Sequence, residues 1–193
     1  MNTTEIRSIS SELRAAGDMR IGGTAVPWSS LSQDLGGFRE QFARGAFSET
    51  LASADDVLLL WSHNRSMPIA SRASGNLQLR DDPGGLQFDS TLNGTSWARD
   101  AHQAIASGTV RTVSFAFSVP TGGDSWQKQD GALVRTVHRA KLHEISPTVM
   151  AAYQATAVGV RSIEEVLATA KDSGVIARDL EAEWFELEIQ RSK

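Results

Sequence analysis

Three polar residues stand inside or beside apolar, β-rich runs, where their side chains could do chemistry together. His63 follows the apolar run 58–61, and Ser114 lies within VRTVSFAFSV, residues 110–119. A serine hydroxyl becomes an effective nucleophile when a base within hydrogen-bond reach takes its proton. The pair therefore points to covalent catalysis by Ser114, with His63 as the base. The alternative is structural: a strand-end histidine and a strand serine, each bonded to nearby backbone or hydroxyl groups.

Glu144, in the stretch KLHEIS (141–146), is the candidate third member of this group. A carboxylate beside the imidazole would accept the ring N–H of His63, fix its tautomer and stabilise the imidazolium formed during attack. The alternative is an edge-strand charge, or an ion pair with Arg139 or Lys141. The predicted site is thus His63, Ser114 and Glu144.

Strands must position all three side chains. The run 58–61 predicts a buried strand, after which His63 meets a polar turn at 64–66. The stretch 110–119 is rich in β-branched and aromatic residues and predicts a second strand. Residues 133–146 predict a third strand, kinked midway. The site would then lie where these strands come together.

Turn-forming residues and hydrophobic spacing in the rest of the chain predict further short elements. A break at Gly17-Asp18 predicts a hairpin, although an amphipathic helix through Ile6, Ile9 and Leu13 is an alternative. Residues 95–108 predict a helix with Trp97, Ala101, Ala104 and Ile105 on one face. The turn residues of 82–85 separate two predicted strands. The stretch TGGDSWQKQDGA (121–132) predicts a loop, and 156–160 a last short strand.

The C-terminal segment differs from the rest of the chain. Ser162 and Glu165 form a capping-box pattern, and Ile176, Leu180, Trp184 and Leu187 have helical spacing. Residues 162–193 carry eight acidic and four basic residues. We expect a body at 1–161 and an acidic helical tail at 162–193, packed on the body or used for docking. The predicted fold class is mainly β with helices (α+β), with strands in a closed barrel or sandwich.

Composition narrows the function classes. The chain has 193 residues, 40% of them hydrophobic and 22% charged, and a formal net charge of −4, which is typical of a globular protein. Without a basic cluster we expect no nucleic-acid partner. Without a long apolar run or a basic start followed by one, we expect no membrane span and no secretory signal. The absence of cysteine excludes thiolate nucleophiles and cysteine-ligated zinc.

The chain resembles the prohead proteases of tailed bacteriophages, capsid-maturation serine proteases related to herpesvirus assemblins. The resemblance runs from about residue 12 to 161, with its blocks in family order. The blocks are RIGGTAVPWSSLSQDLGGF, FARGAFSETL, LLWSHN, GGLQFDSTLNGTSWARDAHQAIASGTVRTVSFAFSV and LHEISPTVMAAYQATAVGV. It implies an assemblin-like barrel of mostly antiparallel strands wrapped by helices.

The resemblance also implies roles and partners. It makes Ser114 the nucleophile, His63 the base and Glu144 the acidic residue of a Glu-Val-Ser block. The implied substrates are the major capsid protein precursor, the scaffold and the protease's own ends, cleaved inside the assembling procapsid in the host bacterial cytoplasm. A homo-oligomer is a further implied possibility, and no cofactor is implied. Asn64, Ala116 and Ala151 depart from the family's usual residues, but none removes a group that the mechanism needs.

Three questions stay open at the level of sequence. Assemblins use a second histidine as the third member, which would be His143 or His138 here. Because neighbouring strand residues point to opposite faces, His143 and Glu144 cannot both face His63, and we expect Glu144 to do so. The oxyanion donors are expected between 147 and 153. The other function classes are an inactive protease-fold assembly protein and a β domain binding a metal through His63, His138 and His143.

Overall fold

The computed structural model describes residues 3–10 and 12–149, and most of these residues lie in strands. In chain order the elements are β1 (Glu5–Ser10), β2 (Arg14–Ala16), β3 (Arg20–Pro27), β4 (Phe38–Phe42), α1 (Ser48–Ala52), β5 (Leu58–Trp61), β6 (Asn64–Ser71), β7 (Leu77–Asp82), β8 (Gly85–Thr91), α2 (Ser96–Ala106), β9 (Thr112–Ser118), β10 (Asp124–Gln129), β11 (Ala132–Val137) and β12 (Lys141–Thr148). The expected class, mainly β with helices, is confirmed.

A five-stranded sheet in the order β1-β9-β12-β5-β6 brings the predicted site residues together. β9 lies between β1 and β12 and is antiparallel to both. β12 is parallel to β5, which forms an antiparallel hairpin with β6. The strand of Ser114 therefore neighbours the strand of Glu144, and the β5–β6 turn lies at one end of the same sheet.

Two smaller sheets complete the described part of the chain. Their orders are β10-β11-β4 and β2-β3-β8-β7. Among the described residues none of the three sheets closes on itself, so the assemblin-like barrel is not confirmed. An aromatic cluster in the core joins β4, the residue that precedes α1, and β9; it is formed by Phe42, Phe47, Phe115 and Phe117. Large aromatic side chains of this kind dominate the burial that stabilises a core.

The stretch 121–132 was expected to be a loop, and that prediction is wrong. Its centre forms β10, which pairs antiparallel with β11 through a turn at Asp130-Gly131. Both turn residues have positive φ, at 51° and 80°, as in the turns that best match the twist of a hairpin. β10 is polar because it is an edge strand, and it has no alternating apolar pattern to reveal it. Its Trp126 packs edge-on against Phe38, with ring centroids 5.1 Å apart.

The predictions of a hairpin at Gly17-Asp18 and of a helix within 95–108 are confirmed. β2 and β3 form the hairpin expected at Gly17-Asp18, and β1 is a strand, so the alternative helix through Ile6, Ile9 and Leu13 is wrong. Thr95 caps α2, since its side chain accepts a hydrogen bond from the N–H of Ala98. Trp97 and Ala104 pack against the core beside the fully buried face of that helix.

Several predictions fall outside the described residues. They are the strand at 156–160, the capping box at Ser162, the acidic tail at 162–193 and the C-terminal part of the proposed oxyanion region. Within the described residues, no helix has the length and apolar character needed to cross a membrane.

Candidate active site

Ser114 lies near the centre of β9, on the face turned away from the aromatic core. Its neighbours Val113 and Phe115 point into the core, as strand alternation requires. The pairing register places Ser8 of β1 and Ser146 of β12 directly opposite Ser114. Three serines therefore form a row across three strands, and the side chain of Ser114 has no exposed surface (0%).

His63 lies in the turn between β5 and β6. Trp61 pairs with Asn64, so Ser62 and His63 are the two turn residues, with φ of 52° and 60°. The expected turn at 64–66 is therefore wrong, because strand β6 already begins at Asn64. Positive φ is uncommon for residues other than glycine, although histidine is among the more tolerant types. Such strained residues concentrate at functional sites, where the surrounding structure holds them in place.

Two hydrogen bonds join the three predicted site residues through the imidazole. Nδ1 of His63 lies 2.5 Å from Oε1 of Glu144, and Nε2 lies 2.7 Å from Oγ of Ser114. The Glu144 carboxylate cannot donate, so Nδ1 carries the proton and donates it. In the neutral ring Nε2 is then the acceptor that faces the Ser114 hydroxyl. The side chain of His63 is 28% exposed, whereas that of Glu144 is 8% exposed.

A β-bulge in β12 decides which residue contacts His63. Leu142 pairs with Phe117 and Glu144 pairs with Ala116, so His143 is an extra residue without a partner in the register. The bulge shifts the alternation, so that Leu142 and Ile145, three residues apart, both enter the core. Glu144 is thereby placed on the face of Ser114 and contacts His63. The simple alternation used for the sequence prediction does not hold across this bulge.

His143 and His138 bond elsewhere. Nε2 of His143 lies 2.9 Å from Oγ of Ser118, and Nε2 of His138 lies 2.8 Å from Oγ of Ser125. Burial lowers the pKa of His143, and the positive charges of Lys141 and Arg65 add to this effect. Over residues 3–10 and 12–149, no three histidine or acidic side chains are grouped so that they could hold a metal ion.

Ser146 is a site residue whose contacts the sequence reasoning missed. Its hydroxyl donates to Oε2 of Glu144 at 2.6 Å and accepts the backbone N–H of His63 at 3.1 Å. Strand periodicity could have found it, because residues two apart on a strand share a face. Glu144 and Ser146 are such a pair.

β1 pairs with the edge of β9 that lies opposite β12. The carbonyl oxygen of Arg7 lies 2.8 Å from Oγ of Ser114, so the hydroxyl has two acceptors, this carbonyl and His63, for its single proton. The structural alternative for Ser114, a bond to neighbouring backbone, is therefore present beside the bond to His63.

A buried ionic cluster ties β1 to the β10-β11-β4 sheet. Arg135 on β11 donates to Glu5 at 2.6 Å, to Glu40 at 2.8 Å and to Asp124 at 2.7 Å. Arg7 donates to Glu40 and to Glu5, each at 2.8 Å. Burial favours the neutral acid, but the hydrogen bond and charge of Arg135, together with Arg7, hold the pKa of Glu5 below its ordinary value. Burial also disfavours the charged guanidinium, yet the charges of Glu40, Glu5 and Asp124 raise the pKa of Arg135.

The family model described as caudovirus prohead serine protease matches residues 4–169. The chain belongs to the caudovirus prohead serine protease family. Family membership places the chain among the proteases of phage capsid maturation, which act inside the procapsid on capsid precursors. No curated protein and no solved structure matches the chain significantly.

Proposed function

We propose that this prohead protease is a serine endopeptidase in which Ser114 is the nucleophile, His63 the general base and Glu144 the group that orients His63. The observation that carries the proposal is the pair of hydrogen bonds through one imidazole, 2.5 Å to Glu144 and 2.7 Å to Ser114. A nucleophile, a base in reach and a third group that holds the base are the parts that acyl transfer to serine requires.

The proton follows the line of these contacts. As Oγ of Ser114 forms a bond to the scissile carbonyl carbon, its proton passes to Nε2 of His63. The ring becomes an imidazolium, stabilised through Nδ1–H by the Glu144 carboxylate. His63 then gives the proton to the leaving amine as the peptide bond breaks. Water, activated by the same imidazole, hydrolyses the acyl-enzyme and restores Ser114.

Attack requires that a substrate carbonyl reach Oγ of Ser114, which is fully buried. At least one group packed against this hydroxyl must therefore move when substrate binds. The developing oxyanion needs preorganised donors, usually backbone N–H groups. We place them in 147–153, where Pro147 cannot contribute because it has no N–H.

The family supplies the substrate class, the capsid precursors. We propose that the major capsid protein precursor is the principal substrate, and that the scaffold and the protease's own ends are further substrates. The reaction would take place in the assembling procapsid within the host cytoplasm. A homo-oligomer of the protease is part of this proposal, and the inactive assembly protein is the alternative against which it is tested.

The test is to incubate the full chain with its cognate capsid precursor and to follow trimming by intact mass spectrometry. Ser114→Ala and His63→Ala should each lower the rate by at least about 10⁴-fold, with little further loss in the double variant, because the two residues act as a unit. The matched control is Ser118→Ala, which removes another buried serine of β9 whose hydroxyl contacts His143 rather than His63.

The control variant should trim the precursor at the wild-type rate. Trimming by Ser114→Ala at the wild-type rate would refute the mechanism. A wild-type chain that binds the precursor but leaves it uncut would favour the inactive assembly protein instead.

A further inference from the structure

A closed ring of three hydrogen bonds links Glu144, Ser146 and His63. The carboxylate binds the imidazole through Oε1, the Ser146 hydroxyl donates to Oε2, and the backbone N–H of His63 donates to the same hydroxyl. Ser146 has no exposed surface (0%), so water does not compete for these bonds. We propose that Ser146 is a positioning residue that fixes the Glu144 carboxylate and the His63 ring relative to one another. This inference rests on the proposed function.

The first task of Ser146 concerns the orientation of the carboxylate. The terminal torsion of a glutamate is broad and roughly two-fold, so a carboxylate with one bonded oxygen can rotate and present either oxygen. The bond from Ser146 occupies Oε2 and leaves Oε1 for His63. A fixed acceptor at Nδ1 keeps the ring proton there, and it keeps the lone pair of Nε2 directed at Ser114.

The second task concerns the backbone under the imidazole. His63 has a φ of 60°, a conformation that persists only where the surroundings enforce it. Two contacts from β12 hold the turn: the N–H of Ser62 donates to the carbonyl oxygen of Pro147 at 3.2 Å, and that of His63 donates to Ser146. Ser146 therefore fixes both the origin of the imidazole, through its backbone, and the direction of the ring, through Glu144.

Ser146 does not act as a second nucleophile, although it lies directly opposite Ser114 in the register. Its proton is directed at Oε2 of Glu144, and its lone pair faces a backbone N–H. Nε2 of His63, the base of the proposed mechanism, lies 2.7 Å from Oγ of Ser114. The two serines thus have different roles, set by which atom of the histidine each one contacts.

The experiment compares Ser146→Ala, Ser146→Thr and the control Ser118→Ala in the full chain. Nitrogen-15 NMR of the His63 ring measures the share of the Nδ1–H tautomer, and precursor trimming gives kcat and KM. Ser146→Ala should reduce the Nδ1–H share and lower kcat by about 10- to 100-fold, as is typical for loss of an orienting partner, while KM changes less than about two-fold. Ser146→Thr keeps the hydroxyl and should restore most of the Nδ1–H share and of kcat. Ser118→Ala should leave the Nδ1–H share and kcat unchanged.

A Ser146→Ala variant with the wild-type tautomer share and kcat would overturn the inference. So would Ala and Thr variants that lose equal activity with no change of tautomer, because that result indicates a purely structural role. If the alanine variant does not fold, Ser146→Cys keeps nearly the same volume with a weak donor and should show the same change of tautomer. A wild-type chain without activity would refute the proposed function, yet the tautomer measurement would still decide the role of Ser146.

Discussion

Replacing Arg135 by methionine should destabilise the protein strongly, because Arg135 is a buried partner of two buried carboxylates. Its side chain is 3% exposed, and those of Glu5 and Glu40 are 6% and 2% exposed. Methionine fills much of the same space but provides neither charge nor N–H donors. The variant would leave Glu5 and Glu40 with Arg7 as their remaining cation in the cluster.

The magnitude follows from the charges and their burial. Two guanidinium groups and three carboxylates give the cluster a net charge of −1 (+2 − 3), which becomes −2 (+1 − 3) without Arg135. Removing one partner of a buried ion pair costs about 3–5 kcal/mol, since the other charge remains in the interior. That is a large share of the roughly 5–15 kcal/mol that stabilises a typical domain.

The dependence of this loss on pH identifies its cause. In the wild type the pKa of Glu5 is lowered from its ordinary value of 4.5, so its contribution to stability is present above that pH and is lost as the pH falls through the folded pKa. In the variant the main interactions that lower the pKa are gone and burial raises it, so protonation favours the folded state. The deficit should therefore be largest at neutral pH and should shrink toward pH 4.

Urea unfolding followed by circular dichroism at pH 7 and pH 4 measures both effects. Fluorescence is less suitable because Arg135 lies over the ring of Trp126, 5.7 Å from its centroid. The control is Arg80→Met, which breaks an exposed pair with Asp89 and should cost less than about 1 kcal/mol. A deficit for Arg135→Met that is as small as the control's, or that stays constant between the two pH values, would refute the ionic explanation.

Three further predictions concern the site and the strands that hold it. Glu144→Gln should lower kcat for precursor trimming by about 10³-fold, less than Ser114→Ala does, because the amide offers an oxygen but no charge to the imidazolium; an unchanged kcat would contradict the role of Glu144. Ser62→Gly should raise the free energy of unfolding by up to about 1 kcal/mol, since glycine adopts the φ of 52° without strain; a clear loss of stability would contradict this. Gly85→Ala should cost about 1–3 kcal/mol because its Cβ would lie 2.5 Å from the carbonyl oxygen of Val26, whereas Gly17→Ala, with nothing within 4 Å, should change thermal unfolding little.

The sequence predicted those elements of the fold whose pattern reflects burial. β5 and β9 are apolar runs, and α2 has a clear apolar face and a capping threonine, so each was recognisable. β10 was missed because an exposed edge strand needs no alternation of apolar residues. Its hairpin is specified by the turn at Asp130-Gly131, a short-range signal within a stretch otherwise read as loop.

The residue types of the candidate site were predictable, but their precise arrangement was not. A serine nucleophile needs a base such as histidine, and a carboxylate commonly orients that base, so the three residue types could be grouped from the sequence. The bulge at His143, which sets the face of Glu144, depends on how β12 pairs with β9, and pairing is a tertiary property. The placement of His63 within the turn depends likewise on the β5–β6 register. The position of Ser146 could have been predicted, because residues two apart on a strand share a face and Ser146 lies two residues after Glu144.

The central claim is that His63 activates Ser114, and covalent labelling with a peptidyl fluorophosphonate tests it most directly. The full chain is treated with the probe and digested, and mass spectrometry locates the modified residue. We predict modification of Ser114 in the wild type and in Ser118→Ala, and a rate at least about 100-fold lower in His63→Ala. Modification of a different serine, or labelling of Ser114 at equal rates with and without His63, would contradict the account.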